Sequence, residues 1–195
     1  MSGLFNKLPD DAREKLKQSE QPEWVEPMLA TLTDDYFSDE KWIFERKLDG
    51  QRCLVFGNGD RVRLLSRNQK ELNVAYPELV DAFGWQDVTH FIVDGEVVAF
   101  AGKVTSFSQL QDRMHVSDPE EARRSEVAVY YYAFDLLYLE GYDTTNLELR
   151  QRKSLLKRAL LCRSPPFSQP PQHRGRGLPG RGVPARLGRV NCQAG

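Results

Sequence analysis

Lys47, Asp49 and Arg52 fall within the six residues "KLDGQR". Burying that much charge is costly unless a charged ligand needs it. In an extended chain alternate side chains face the same way. Glu45, Lys47 and Asp49 would then share one face, with Arg46 and Leu48 on the other. Gly50 would allow a turn that returns Arg52 to the same face. A salt-bridged surface strand would use the same residue types. A second set lies in "IVDGEVVAF", where Asp94 and Glu96 interrupt an apolar run at strand spacing. Two carboxylates on one face suit a divalent cation or the hydroxyl pair of a ribose; a solvated hairpin turn is the alternative. Arg67 follows the apolar strand "RVRLLS" and could meet a phosphate or simply end the strand. Phe134, in "YYYAFDLLYLEG", could stack on a flat ligand or fill the core.

The elements that must position these residues are mostly strands. "KWIFERK" reads as a first strand, and "CLVF" and "RVRLLS" as a hairpin around "GNGD". "AYPELVDAF" and "SFSQLQDRM" read as helices, as does "DDAREKLKQS" near the N-terminus. "HFIVDGEVVAF" reads as two short strands around Asp94-Gly95. A long β-rich run, "EVAVYYYAFDLLYLEG", precedes a leucine-faced helix in "NLELRQRKSLLKRAL". The pattern predicts an α+β fold with mostly antiparallel strands, not a doubly wound one.

A chain of 195 residues is long enough for one domain with its own core. Its 40 % hydrophobic and 28 % charged content is ordinary for a folded soluble protein. No apolar run approaches the roughly 18 residues of a membrane span, and the N-terminus lacks the apolar centre of a secretory signal. Three scattered cysteines fit a reducing cytoplasm and offer no CxxC metal pair. The charge is uneven. Residues 1–162 carry 21 basic and 28 acidic groups, whereas residues 163–195 carry six Arg and no acid. An acidic body argues against a broad nonspecific nucleic-acid surface, though not against a local basic groove. The tail also holds six Pro and six Gly in 33 residues, with no strand or helix period, and is expected to be disordered.

Taken together, "ERKLDGQR", "SRN", "VDGEVVAF" and "FDLLYLEG" resemble the nucleotidyltransferase motifs of ATP-dependent DNA ligases, in particular the bacterial ligases of end-joining repair. KxDGxR alone also occurs in capping enzymes and RNA ligases. The resemblance implies an antiparallel-sheet adenylation domain and a reaction with ATP, Mg²⁺ and nicked double-stranded DNA. Lys47 would be the nucleophile that takes AMP. Glu45 would accept from the adenine amino group, Arg52 would hold ribose or phosphate, and Glu96 would bind a ribose hydroxyl or the metal. Phe134 would stack on adenine, Arg67 would hold the 5′-phosphate of the nick, and Asp49 would orient Lys47 and assist the metal. End-joining repair proteins are the partners it implies, with no membrane, and a bacterial cytoplasmic, nucleoid-associated location. Two other readings use the same residues: an RNA ligase or capping guanylyltransferase, and a non-catalytic nucleic-acid-binding fragment using the Arg-rich tail.

The resemblance stops near Leu161. The family's later "EG" and "KxK" strands and its oligonucleotide-binding domain are absent, so an impaired or inactive chain is expected. The expected organisation is an extension over 1–26, a partial adenylation domain over 27–162 and a basic tail over 163–195. The tail reads as possibly out of frame, since "LGRVNCQA" permits codons that give Trp-Glu-Gly-Leu-Ile-Ala-Lys one base later. Gene codons that cannot give Trp-Glu-Gly in that frame would exclude this. A genuine basic tail binding nucleic acid by counterion release is the alternative.

Overall fold

A computed structural model describes residues 3–34, 37–160 and 189–192. A short 3-10 turn, Phe5–Lys7, leads into α1 (Asp10–Glu14) and β1 (Lys17–Gln18). There follow β2 (Gln51–Asn58), β3 (Arg61–Ser66), α2 (Pro77–Gly84), β4 (His90–Val98), β5 (Phe100–Ala101), β6 (Val104–Thr105), α3 (Phe107–Met114), α4 (Pro119–Arg124), β7 (Tyr130–Leu139), β8 (Tyr142–Asp143), α5 (Leu149–Ala159) and β9 (Arg189–Cys192). The main sheet runs β1-β8-β7-β4-β2-β3, antiparallel throughout, with β9 added parallel to the first half of β7. This is the α+β, antiparallel-sheet class that the strand pattern predicts. Apart from Arg189–Cys192, the tail expected to be disordered lies outside the described residues. Among the described residues no helix is long and apolar enough to cross a membrane.

Alternation along the strands sorts the sheet into two faces. Cys53 and Val55 of β2, Val93 and Val97 of β4, and Tyr131 and Ala133 of β7 point into the main core. Leu79 and Phe83 of α2 and Leu155 and Leu156 of α5 join that core. The other face carries Leu54, Phe56, Ile92 and Tyr138, packed against Trp24 and Val25 of the N-terminal lead-in. Along β2 this face reads Arg52, Leu54, Phe56; along β4 it reads Ile92, Asp94, Glu96. It is therefore apolar at one end and charged at the other.

Three expected elements differ. The helix expected over "DDAREKLKQS" ends at Glu14, because Lys17–Gln18 pair with β8 as a short strand instead. No strand forms over residues 41–47. None of the described strands pairs with that segment, and side chains of α5 reach it instead. The expected pair of short strands around Asp94-Gly95 is one continuous strand, β4. β2 and β7 pair with it on both sides, and the two ladders override the turn preference of Asp-Gly. Gly95 is needed for space. A Cβ there would lie 2.4 Å from the Tyr131 ring, whose hydroxyl donates to the Cys53 carbonyl at 2.8 Å. Gly95→Ala is therefore expected to lower stability by about 2–3 kcal/mol, measured by urea unfolding; a change below about 0.5 kcal/mol would contradict this packing.

Candidate functional site

Arg52 is the centre of the charged end of the sheet. It faces Glu96 directly across β2 and β4 and reaches diagonally to Asp94. Its Nε and Nη2 donate to the two Asp94 oxygens at 2.9 and 2.5 Å, a bidentate fork. Its guanidinium carbon lies 5.2 Å from the centroid of the Phe134 ring, in cation–π range. The hydrogen bond to Asp94 pushes the Arg52 pKa up. Burial pushes the Asp94 carboxyl up, and the Arg52 contact works against it. The two acids at i and i+2 do share a face, as their spacing predicts. Asp94 is committed to Arg52, however, and Glu96 is the one left available.

Glu96 has no such fork. Burial is the main cause that raises its pKa to about 7; Arg52 opposes this, and Asp94 and Asp49 reinforce it. Asp49 is thus within electrostatic reach of Glu96. One Asp49 oxygen accepts from the Phe107 N–H at the start of α3, at 3.0 Å, and the Asp49 N–H donates to the Thr105 hydroxyl at 3.1 Å. Among the described residues no group of three His, Cys, Asp or Glu side chains is arranged to hold a metal ion. Glu96 and Asp49 are carboxylates, the donor type of which Mg²⁺ commonly takes one or two, completing its shell with water and substrate phosphates.

The segment before β2 distributes its charges over different partners instead of presenting one face. Lys47 is exposed. Glu45 receives a hydrogen bond of 2.6 Å from Lys153 of α5. Asp49 turns to α3, as described. Gly50 does not use a positive φ. Its missing Cβ instead lets the chain press on β4, since a Cβ would lie 2.2 Å from the Val97 carbonyl oxygen. Arg67 is exposed in the turn after β3. The β2–β3 register ends with Cys53 opposite Ser66, so Arg67 leaves the sheet at the end where Arg52 lies.

Three charged residues at this end have no counterpart among the sequence candidates. Asp135 pairs with Asp94 across the strands and is held by Arg152 of α5 at 2.7 and 2.9 Å. Lys153, only 4 % exposed, holds Glu45. Asp135 had the same signal as Asp94, a lone acid in an apolar run. Arg152 and Lys153 had none, because basic residues on a helix normally face water.

Glu96 gives this site a pH signature. Its folded pKa, about 7, lies above the ordinary 4.5, so the protonated form stabilises the fold. That stability is present below about pH 4.5 and is lost as pH rises through 7. Glu96→Gln should remove the loss. Between pH 5 and pH 8 the variant should gain on the order of 2 kcal/mol relative to wild type, allowing for partial exposure. Urea unfolding at both pH values measures this, and a pH-independent difference would contradict it.

The family model described as ATP dependent DNA ligase domain matches residues 27–174. A "Probable DNA ligase" of Koribacter versatilis is 35 % identical over 135 residues, 66 % of this chain and 23 % of that protein. The "Multifunctional non-homologous end joining DNA repair protein LigD" of Mycobacterium tuberculosis is 35 % identical over 133 residues, 67 % of this chain and 16 % of that protein. The crystal structure of the ligase domain of M. tuberculosis LigD matches with a TM-score of 0.49 and 34 % identity, over 58 % of this chain and 35 % of that one. The chain thus spans less than a quarter of either relative's length. With the family model matched over most of its residues, the chain belongs to the ATP-dependent DNA ligase family.

Proposed function

We propose that this chain takes AMP from ATP onto Lys47, the first step of ATP-dependent joining of DNA ends. The observation that carries the reading is the gathering of Arg52, Glu96 and Phe134 at the sheet end from which the Lys47 segment departs. The neutral Lys47 amine attacks the α-phosphorus of ATP. A P–N bond forms, the bond to pyrophosphate breaks, and the amine loses a proton. Arg52 has donors left after its fork to Asp94 and offers them to ribose or phosphate. Glu45, an acceptor only when ionised, suits the 6-amino group of adenine and not the 6-oxo group of guanine. Phe134 offers its ring to the base and Glu96 its carboxyl to a ribose hydroxyl. Glu96 and Asp49 would hold Mg²⁺, which when bound neutralises charge on the phosphates.

In the whole reaction a 5′-phosphate at a nick in double-stranded DNA takes the AMP from Lys47. Arg67 would hold that phosphate. The 3′-hydroxyl then displaces AMP and seals the strand. The similarity to LigD supports a setting in end-joining repair and recombination in the bacterial cytoplasm. The same proposal divides the chain into a lead-in over 1–26, the nucleotidyl-transfer body over 27–162 and a tail over 163–195. Nick sealing needs strands that follow the body in the family, so this chain alone is expected to transfer AMP slowly and to seal nothing.

Intact-mass measurement after incubation with ATP and Mg²⁺ tests this. The expected result is a gain of one AMP, absent with GTP and absent from Lys47→Ala. No gain in a folded sample, or an equal gain in Lys47→Ala, would overturn the reading.

A further inference from the structure

Residues 43–49, which carry Lys47, belong to no helix or strand. Their position depends on side-chain ties to neighbouring elements. At one end Asp49 is tied to Thr105 and Phe107. At the other, α5 reaches across. Arg150 donates to the carbonyls of Glu40 and Trp42 at 2.8 and 3.0 Å, and Lys153 donates to Glu45 at 2.6 Å.

Lys153 has a second acceptor, the Phe134 carbonyl at 2.7 Å. The ladder skips Phe134, because Asp94 pairs with Asp135 and Gly95 with Ala133. Phe134 is therefore the extra residue of a bulge, whose backbone groups the ladder leaves without strand partners. An ammonium buried to this degree is costly unless fully paired. Lys153 meets that requirement only by joining two separate parts of the site: the carboxylate two residues before Lys47, and the backbone of the residue offered as the base platform.

We propose that Lys153 is a positioning residue for the nucleophile. It fixes Glu45 against the Phe134 bulge and so sets where Lys47 stands relative to a nucleotide lying on Phe134. The proposal rests on the nucleotidyl-transfer reading, but its structural half does not. A misplacement of about 1 Å can cost on the order of a hundredfold in rate. The effect should therefore appear in the rate of transfer at saturating ATP more than in the ATP concentration needed.

Two readouts separate the proposal from the reading it rests on. The first is limited trypsin cleavage after Arg46 and Lys47 in the ATP-free chain, for wild type, Lys153→Met, Glu45→Gln and the double variant. Cleavage there should quicken about tenfold or more in each single variant. The double variant should add little, and Arg52 within β2 should stay uncut. Glu45→Gln acts from the exposed segment, so it answers even if Lys153→Met folds poorly. Unchanged cleavage after Arg46 and Lys47, or cleavage spread into the sheet, would overturn the proposal. The second readout is AMP transfer. If wild type gains AMP, Lys153→Met should do so at least tenfold more slowly with a Michaelis constant for ATP within about threefold; an unchanged rate would overturn the proposal. If wild type gains none, the nucleotidyl-transfer reading fails, and the cleavage result still decides the role of Lys153.

Discussion

Two carboxylates, Asp94 and Asp135, stand opposite each other on the central strands β4 and β7. Both are buried, at 3 % and 8 % exposure. Like charges opposed across a sheet repel, and burial sharpens the repulsion. Each is answered by its own guanidinium fork, Arg52 for Asp94 and Arg152 for Asp135. Much of the site's layout follows from those two forks. One sets Arg52 beside Phe134 and opposite Glu96. The other fastens α5 to β7, and α5 in turn brings Lys153 and Arg150 to the Lys47 segment. Losing either partner of a fork would leave a buried charge uncompensated, which is the costly case for buried ion pairs.

The chemistry of the site reflects the same arrangement. Glu96 is raised by burial because Arg52 is spent largely on Asp94. A carboxyl poised near neutral pH can donate to a hydroxyl or accept from one. Lys47, the proposed nucleophile, sits on an irregular segment rather than on the sheet. A lysine that first attacks a phosphorus and then surrenders the adduct to another substrate needs to move between the two, and a tethered segment allows that where a ladder would not.

Much of the fold was legible from pattern. The "GNGD" hairpin, α2, α3, α5 and the long β7 all stand where periodicity and turn residues predict. The misreadings have separate causes. The polar run 10–19 has helix composition, but its second half is taken by pairing with β8. Asp-Gly is a strong turn signal, but between two flanking strands the ladder hydrogen bonds outweigh it. "KWIFERK" has strand composition, yet among the described residues no neighbouring strand completes it. In the site, Arg52, Glu96 and Phe134 were readable as motifs and do converge. The commitment of Asp94 to Arg52 was not readable, since it depends on a diagonal between strands some forty residues apart. Lys153 was hidden by its helix, where leucine spacing marks the buried face and a lysine is taken for solvent.

On the proposed reading, the Arg52 fork, held by Asp94 against Phe134, forms the floor on which a nucleotide is held. Lysine keeps the charge but loses the fork and the flat contact with the ring. Calorimetric titration of ATP into wild type and Arg52→Lys, with unfolding curves to confirm that both are folded, tests this most directly. Wild type is expected to bind ATP, and the variant to bind it at least about tenfold more weakly, a loss of about 1.4 kcal/mol. Equal behaviour of the two folded proteins would contradict it.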